Sequence, residues 1–155
     1  MTRKKTTHRK ETKIEFGVLP GLVGYQLRLA QIAIFRDFAA ALGDLSITPG
    51  LFGVLVVIEA NPGLKQTDLA RATHLDRSTV VSVIDNLERR GLVERRSAAV
   101  DRRSNALQLT EQGGALLKEL MRRVAEHEKR LSSHLSETER ATLVRLLRKI
   151  LPERR

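Results

Sequence analysis

Short hydroxyls, a methyl-bearing side chain and an amide recur along one side of Asp76 to Gly91, DRSTVVSVIDNLERRG. At ~100° per residue, Val80, Val83, Ile84 and Leu87 fall within a third of a helix circumference, so that side packs against a core. Ser78, Ser82 and Arg89 then point the opposite way, flanked by Thr79, Val81, Asp85 and Asn86. Asp76 is placed to cap the amino end, and Gly91 suits the left-handed position beyond the last turn. A helix meant only for solvent carries long Glu and Lys side chains, whereas side chains this short let a flat partner come close. The major groove of B-DNA is such a partner: it admits one helix and offers base edges and thymine methyls to short side chains. The plainer reading, an ordinary amphipathic surface helix, is weighed by what flanks it.

Upstream, LKQTDLARATHL reads as a shorter helix over Gln66 to Thr73, with Leu69 and Ala70 facing inward and a tight link through His74 and Leu75. Two short helices joined by about four residues, the second with a polar outer face, make a helix-turn-helix. Downstream, GLVERR, a basic loop SAAVDRRS and NALQLT read as a β-hairpin, because Leu107 and Leu109 alternate with Ala106, Gln108 and Thr110. The hairpin is a wing. The candidate DNA contacts are Thr67 on the first helix; Arg77, Ser78, Thr79, Val81, Ser82, Asn86 and Arg89 on the second; and Arg96, Asp101, Arg102 and Arg103 in the hairpin.

Taken together these phrases resemble the MarR family of bacterial winged-helix regulators, from about Leu22 to Ile150. TDLARATHLDRSTVVSVIDNLERRGLVERR carries the resemblance, with Asp101-Arg102-Arg103 in the hairpin and LQLTEQG, where Thr110 ends a strand and caps the next helix. Family members often have a second Arg nearer the wing tip, where this chain has Ala98-Ala99-Val100. The implied fold is mostly α with a small β-hairpin wing. A winged helix-turn-helix region at about 48–110 joins a helical dimerisation region formed by the N- and C-terminal helices, about 18–43 and 111–151, all within a single unit, 14–155. The resemblance implies a homodimeric, sequence-specific regulator of transcription, a repressor released from a palindromic operator by a small organic anion. GYQLRLAQIAIF is similar to the first helix of members that regulate aromatic-acid catabolism, where the effector is an aromatic acid or its coenzyme A thioester. Arg28, Gln31 and Arg36 are the effector-binding candidates on that helix, with surface ion pairing as their plainer role.

Composition narrows the alternatives. Lys and Arg number 28 against 18 Asp and Glu, a formal net charge of +10, which favours an anionic partner, nucleic acid before a membrane surface. Six basic residues and one acidic residue lie in residues 1–13, MTRKKTTHRKETK, which read as a flexible basic arm that either solubilises the chain or follows DNA phosphates. No apolar run of about 20 residues exists to span a bilayer, and no signal-peptide core follows Met1, so the expected location is the cytoplasm. There are no cysteines, hence no disulfides, thiolate metal sites or thiol-based sensing. His127 and His134 stand two turns apart, too far for one metal without an intervening ligand, and no phosphate loop or nucleophile elbow is present. No metal, cofactor or enzymatic activity is therefore expected. The alternative function is nonspecific, architectural DNA binding.

The remaining segments are helical by their punctuation. Pro20 precedes and Gly43 stops a long helix from Leu22 to Leu42, apolar on more than one face. Thr48-Pro49 opens and Asn61-Pro62-Gly63 closes another, whose VLVVI centre could be a strand by composition alone. Glu111 to about Leu135 form a second long helix, and Ser136 opens the last with a capping box to Glu139 and a stripe of Leu143, Leu146, Leu147 and Ile150. Those terminal stripes call for a second copy of the chain.

Overall fold

The computed structural model describes residues 14–97 and 105–151. The basic arm, the wing tip with Asp101, Arg102 and Arg103, and Pro152 lie outside the described residues. The chain divides into two compact units, Met1–Ala33 and Ile34–Arg155.

In the first unit a 3-10 turn, Leu19–Gly21, with Pro20 inside it, leads into helix α1, Val23–Leu42. The Gln26 side chain donates to the Pro20 carbonyl at 2.6 Å, tying the turn to the helix start. Leu22, Val23, Leu27, Leu29 and Ile32 are all exposed.

The second unit holds the core. After the end of α1 and a 3-10 turn, Gly43–Leu45, come α2 (Pro49–Ala60), β1 (Leu64–Lys65), α3 (Gln66–Thr73), α4 (Arg77–Arg89), β2 (Val93–Ser97), β3 (Asn105–Leu109), α5 (Glu111–Leu131) and α6 (Glu137–Ile150). VLVVI is helical, as the Thr48 cap demands: the Thr48 hydroxyl accepts from the Leu51 amide at 3.2 Å and Pro49 fills the first turn. Phe38, Leu42, Val54, Leu55, Ile58, Leu69, Val80, Ile84, Leu87, Leu107, Leu117 and Leu120 form one contiguous buried cluster.

The strands form an antiparallel sheet in the order β1-β3-β2, so the hairpin acquires a third strand that the sequence pattern does not announce. Val93 pairs with Leu109 and Arg95 with Leu107, which puts these side chains on one face of the sheet. Helix α5 ends at Leu131 rather than near Leu135. Just beyond that end the Ser132 amide and hydroxyl both donate to the Glu128 carbonyl, at 3.0 and 2.7 Å. Ser136 and Glu139 make the reciprocal capping box of α6, and the hydrogen bond from the Ser136 amide holds the Glu139 carboxyl below its usual range. No residue of α6 is buried.

Candidate nucleic-acid interface

The turn between α3 and α4 is made by His74, which takes the left-handed conformation at φ 55°, while the Leu75 amide returns to the Ala70 carbonyl at 3.2 Å. Leu69 and Ala70 on α3 and Val80, Ile84 and Leu87 on α4 go into the core, with Val83 half-buried. Packing thus fixes which side of α4 remains outside.

That side carries Arg77, Ser78, Thr79, Val81, Ser82, Asp85, Glu88 and Arg89, all exposed, with Asn86 half-buried at its edge. Val81 is 44% exposed in a molecule whose other valines on α4 are inward, so its methyls are available to a partner. Ser82 donates to the Ser78 carbonyl at 3.1 Å, and Arg89 Nε to the Asp85 carbonyl at 3.3 Å. Both are local bonds at exposed positions, which a polar partner can replace at small cost. Ser82, Asp85, Glu88 and Arg89 line a shallow open depression.

Asp76 does not cap through its side chain. Its backbone is in the extended cap conformation and its carbonyl accepts from the Val80 amide at 3.0 Å, but its carboxylate makes no cap hydrogen bond. The helix start is therefore set by backbone geometry and the preceding turn. At the other end Gly91 has φ 68°, as its left-handed role requires, and its carbonyl accepts from the Thr110 hydroxyl at 2.6 Å.

Thr67 is exposed on α3. Arg96 is exposed on β2 and pairs with Glu94 on the same strand face, at 2.6 Å. A surface pair of this kind is worth ~0–1 kcal/mol and releases its arginine readily. Arg28 and Gln31 are exposed on the part of α1 in the first unit, and Arg36 is exposed in the second.

Arg95, which pattern reading passed over, and His127, which it weighed only as a metal ligand, are both constrained. Arg95 reaches Gln66, Asp85 and Glu88 from β2. The signal was its register: two residues after an inward Val93, it occupies a core-facing position. His127, 1% exposed, packs edge-on to Phe38 at 5.6 Å, and its Nε2 lies 3.2 Å from Asp37 Oδ2 without hydrogen-bond alignment.

A short helix, a left-handed turn, a second helix with a short polar outer face and a three-stranded sheet ending in a hairpin define a winged helix-turn-helix. Comparison with known proteins agrees. The MarR family pattern matches residues 45–104. A protein of Thauera aromatica assigned to transcriptional regulation of the hcr operon is 38% identical over 149 residues, 96% of this chain and 90% of the relative. The repressor CouR bound to a 23-mer DNA duplex superposes with a TM-score of 0.85 at 38% identity, covering 90% of this chain and 99% of that one. CouR bound to p-coumaroyl-CoA superposes at 0.82 with 35% identity, covering 89% and 97%. The chain belongs to the MarR family of transcriptional regulators.

Proposed function

We propose that this chain is an operator-specific repressor that binds double-stranded DNA as a homodimer and is released by a small organic anion. The observation that carries the reading is the outer face of α4, where Ser78, Thr79, Val81 and Ser82 stand exposed over a fully packed inner face. Asn86, Arg89 and Arg77 extend it, Thr67 supports it from α3, and Arg96, Arg102 and Arg103 act from the wing on backbone phosphates or the minor groove, with Asp101 orienting Arg103 through a charge-assisted pair. The CouR–duplex likeness supports DNA as the partner, and the net charge of +10 supplies the sequence-independent part of the affinity. The proposed place of action is the cytoplasm, where the DNA bound by bacterial regulators of this family lies.

The region from about 48 to 110 reads DNA in this proposal, while the helices at about 18–43 and 111–151 bring two copies together. The exposed Leu143, Leu146 and Ile150 on α6 favour a partner helix, since an apolar stripe left in water is avoided by stable monomers. Two recognition helices related by a two-fold axis then face half-sites about one DNA turn apart. For the effector, the CouR–p-coumaroyl-CoA likeness supports an aromatic acid or its coenzyme A thioester, with Arg28, Gln31 and Arg36 supplying donors to the carboxylate or phosphates.

Footprinting on the DNA flanking its own gene tests this. A repressor protects a discrete palindrome, and p-coumaroyl-CoA, p-coumarate or free coenzyme A, added separately, reports which part of the ligand releases it. Protection spread evenly over all DNA supports architectural binding instead.

A further inference from the structure

Arg95 stands on β2 directly opposite Leu107, on the face of the sheet that covers the core, and its side chain is 20% exposed. From there its guanidinium leaves the sheet and is used on three sides. One Nη donates to Glu88 and the other to Asp85, both on α4. Nε meets the amide oxygen of Gln66, the first residue of α3, at 2.8 Å, with that amide turned so that both partners are satisfied. The Arg95 backbone amide also points at Glu88, at 3.4 Å. One side chain thereby joins the base of the wing to both helices of the helix-turn-helix.

The electrostatics matter as much as the geometry. Asp85 and Glu88 line the same outer depression as Ser82 and Arg89. A polyanion docked on that face meets two carboxylates, each repelling phosphate, and the guanidinium set between them offsets one unit of that charge. All three guanidinium nitrogens are directed at protein acceptors, so Arg95 cannot grip a phosphate without abandoning them.

We propose that Arg95 is a positioning residue for sequence recognition: it neutralises Asp85 and Glu88 from behind and fixes the angle of α4 against β2 and α3, without touching DNA. This rests on the DNA-reading function proposed above. Removing it has two separable consequences. The freed carboxylates weaken all DNA binding, and the loosened helix loses discrimination between sequences.

The test compares wild type, Arg95→Ala, Arg95→Lys and Arg95→Ala combined with Asp85→Asn and Glu88→Gln. Each is titrated against the footprinted operator and an unrelated duplex of equal length over a range of salt, with thermal melting to show folding. Arg95→Ala is expected to bind both duplexes more weakly and to lose ~10-fold in operator preference. The triple variant recovers affinity for the unrelated duplex but not the preference. Arg95→Lys does the same, because a point charge on a flexible stem cannot span three acceptors. An ordinary phosphate contact would behave otherwise: affinity falls equally on both duplexes, the salt slope drops by ~1, and the carboxamides recover nothing. That outcome, or an unchanged preference in every variant, overturns the assignment. Failure of the wild type to bind any duplex overturns the DNA-reading function itself.

Discussion

Replacing Gly113 by alanine tests the tightest of the glycine sites among the described residues. Gly113 lies in the first turn of α5, buried, and a Cβ there would sit 1.9 Å from the Leu92 carbonyl oxygen, 2.9 Å from its carbon and 3.2 Å from its Cα. Ordinary contact begins at 3.4 Å, so the backbone would have to give by about 1.5 Å. Leu92 cannot yield freely: its carbonyl accepts from the Thr110 amide at 3.1 Å, its amide donates to Leu87 at 2.9 Å, and its side chain is buried. Overpacking costs ~1–3 kcal/mol, and a strained Thr110–Leu92 hydrogen bond adds ~1 kcal/mol. Replacing a helical glycine by alanine returns ~1 kcal/mol, leaving a net destabilisation of ~1–3 kcal/mol. At ~2–4 °C per kcal/mol for a chain of this size, Gly113→Ala should melt ~2–12 °C below wild type. Gly114→Ala is the control, since nothing lies within 4 Å of its Cβ and only the propensity gain remains. Melting is followed by circular dichroism at one protein concentration, because association would otherwise shift the midpoint. Equal melting of Gly113→Ala and wild type, or an equal fall for Gly114→Ala, would refute the close approach.

The two faces of α4 should separate in mutagenesis: Leu87→Ala, at a fully buried site, loses ~2–5 kcal/mol of stability, whereas Ser82→Ala shifts base preference by ~1–3 kcal/mol per affected pair with little change in melting. Matching phenotypes would contradict the division of that helix. Hydrogen bonds from Arg122 and then Arg123 lower the Glu119 carboxyl from 4.5 to about 2. The depressed folded value means that its contribution is present above about pH 4.5 and lost as pH falls toward about 2, so wild type and Glu119→Gln should differ at neutral pH and converge in acid; a gap that persists at pH 2 would assign the effect elsewhere. Leu143→Glu, at a position 46% exposed in the single chain, should leave the fold intact and dissociate the proposed dimer in sedimentation at micromolar concentration. A monomeric wild type would remove the reason for that result.

What could be read from the sequence follows from how far each determinant reaches along the chain. The bounds of α3 and α4 depend on neighbours within a turn or two, and a left-handed glycine or a proline after a threonine declares itself locally. The inward face of α4 was legible for the same reason, because period alone sorts Val80, Ile84 and Leu87 from Ser78 and Ser82. Strand β1 was not: two residues have no period, and Leu64–Lys65 is extended because Leu107 and Ala106 lie beside it. Asp76 shows the opposite failure, a good capping residue whose side chain the local backbone leaves unused. Arg95 was overlooked in favour of Arg96 because charge suggests exposure, whereas strand register places Arg95 on the covered face and Arg96 on the open one. Long-range partners, Gln66 above all, decide what such an arginine does.

The turn after α1 shows how such partners tie α4 to the rest of the second unit. A helix end leaves carbonyls without intrahelical partners, and its dipole favours cations there. Two arginines from distant parts of the chain take up those positions. Arg123 on α5 donates to the Ala41 carbonyl at 3.4 Å and grips both oxygens of Asp44, at 2.8 and 3.0 Å, while Glu119 holds its Nε at 2.7 Å. Arg90, the residue that closes α4, donates to the carbonyls of Leu45 and Ser46, each at 3.0 Å, with Ser46 in the left-handed conformation at φ 51°. These two bonds, within the ordinary N–H···O range, tie the turn to the end of α4 through the Arg90 side chain. Arg95 holds the same helix one turn earlier, at Asp85 and Glu88, against the sheet. The carboxyl-terminal half of α4 is therefore held from two directions by arginines, while the proposed contacts from Arg77 to Ser82 lie on the half of the helix before those attachments.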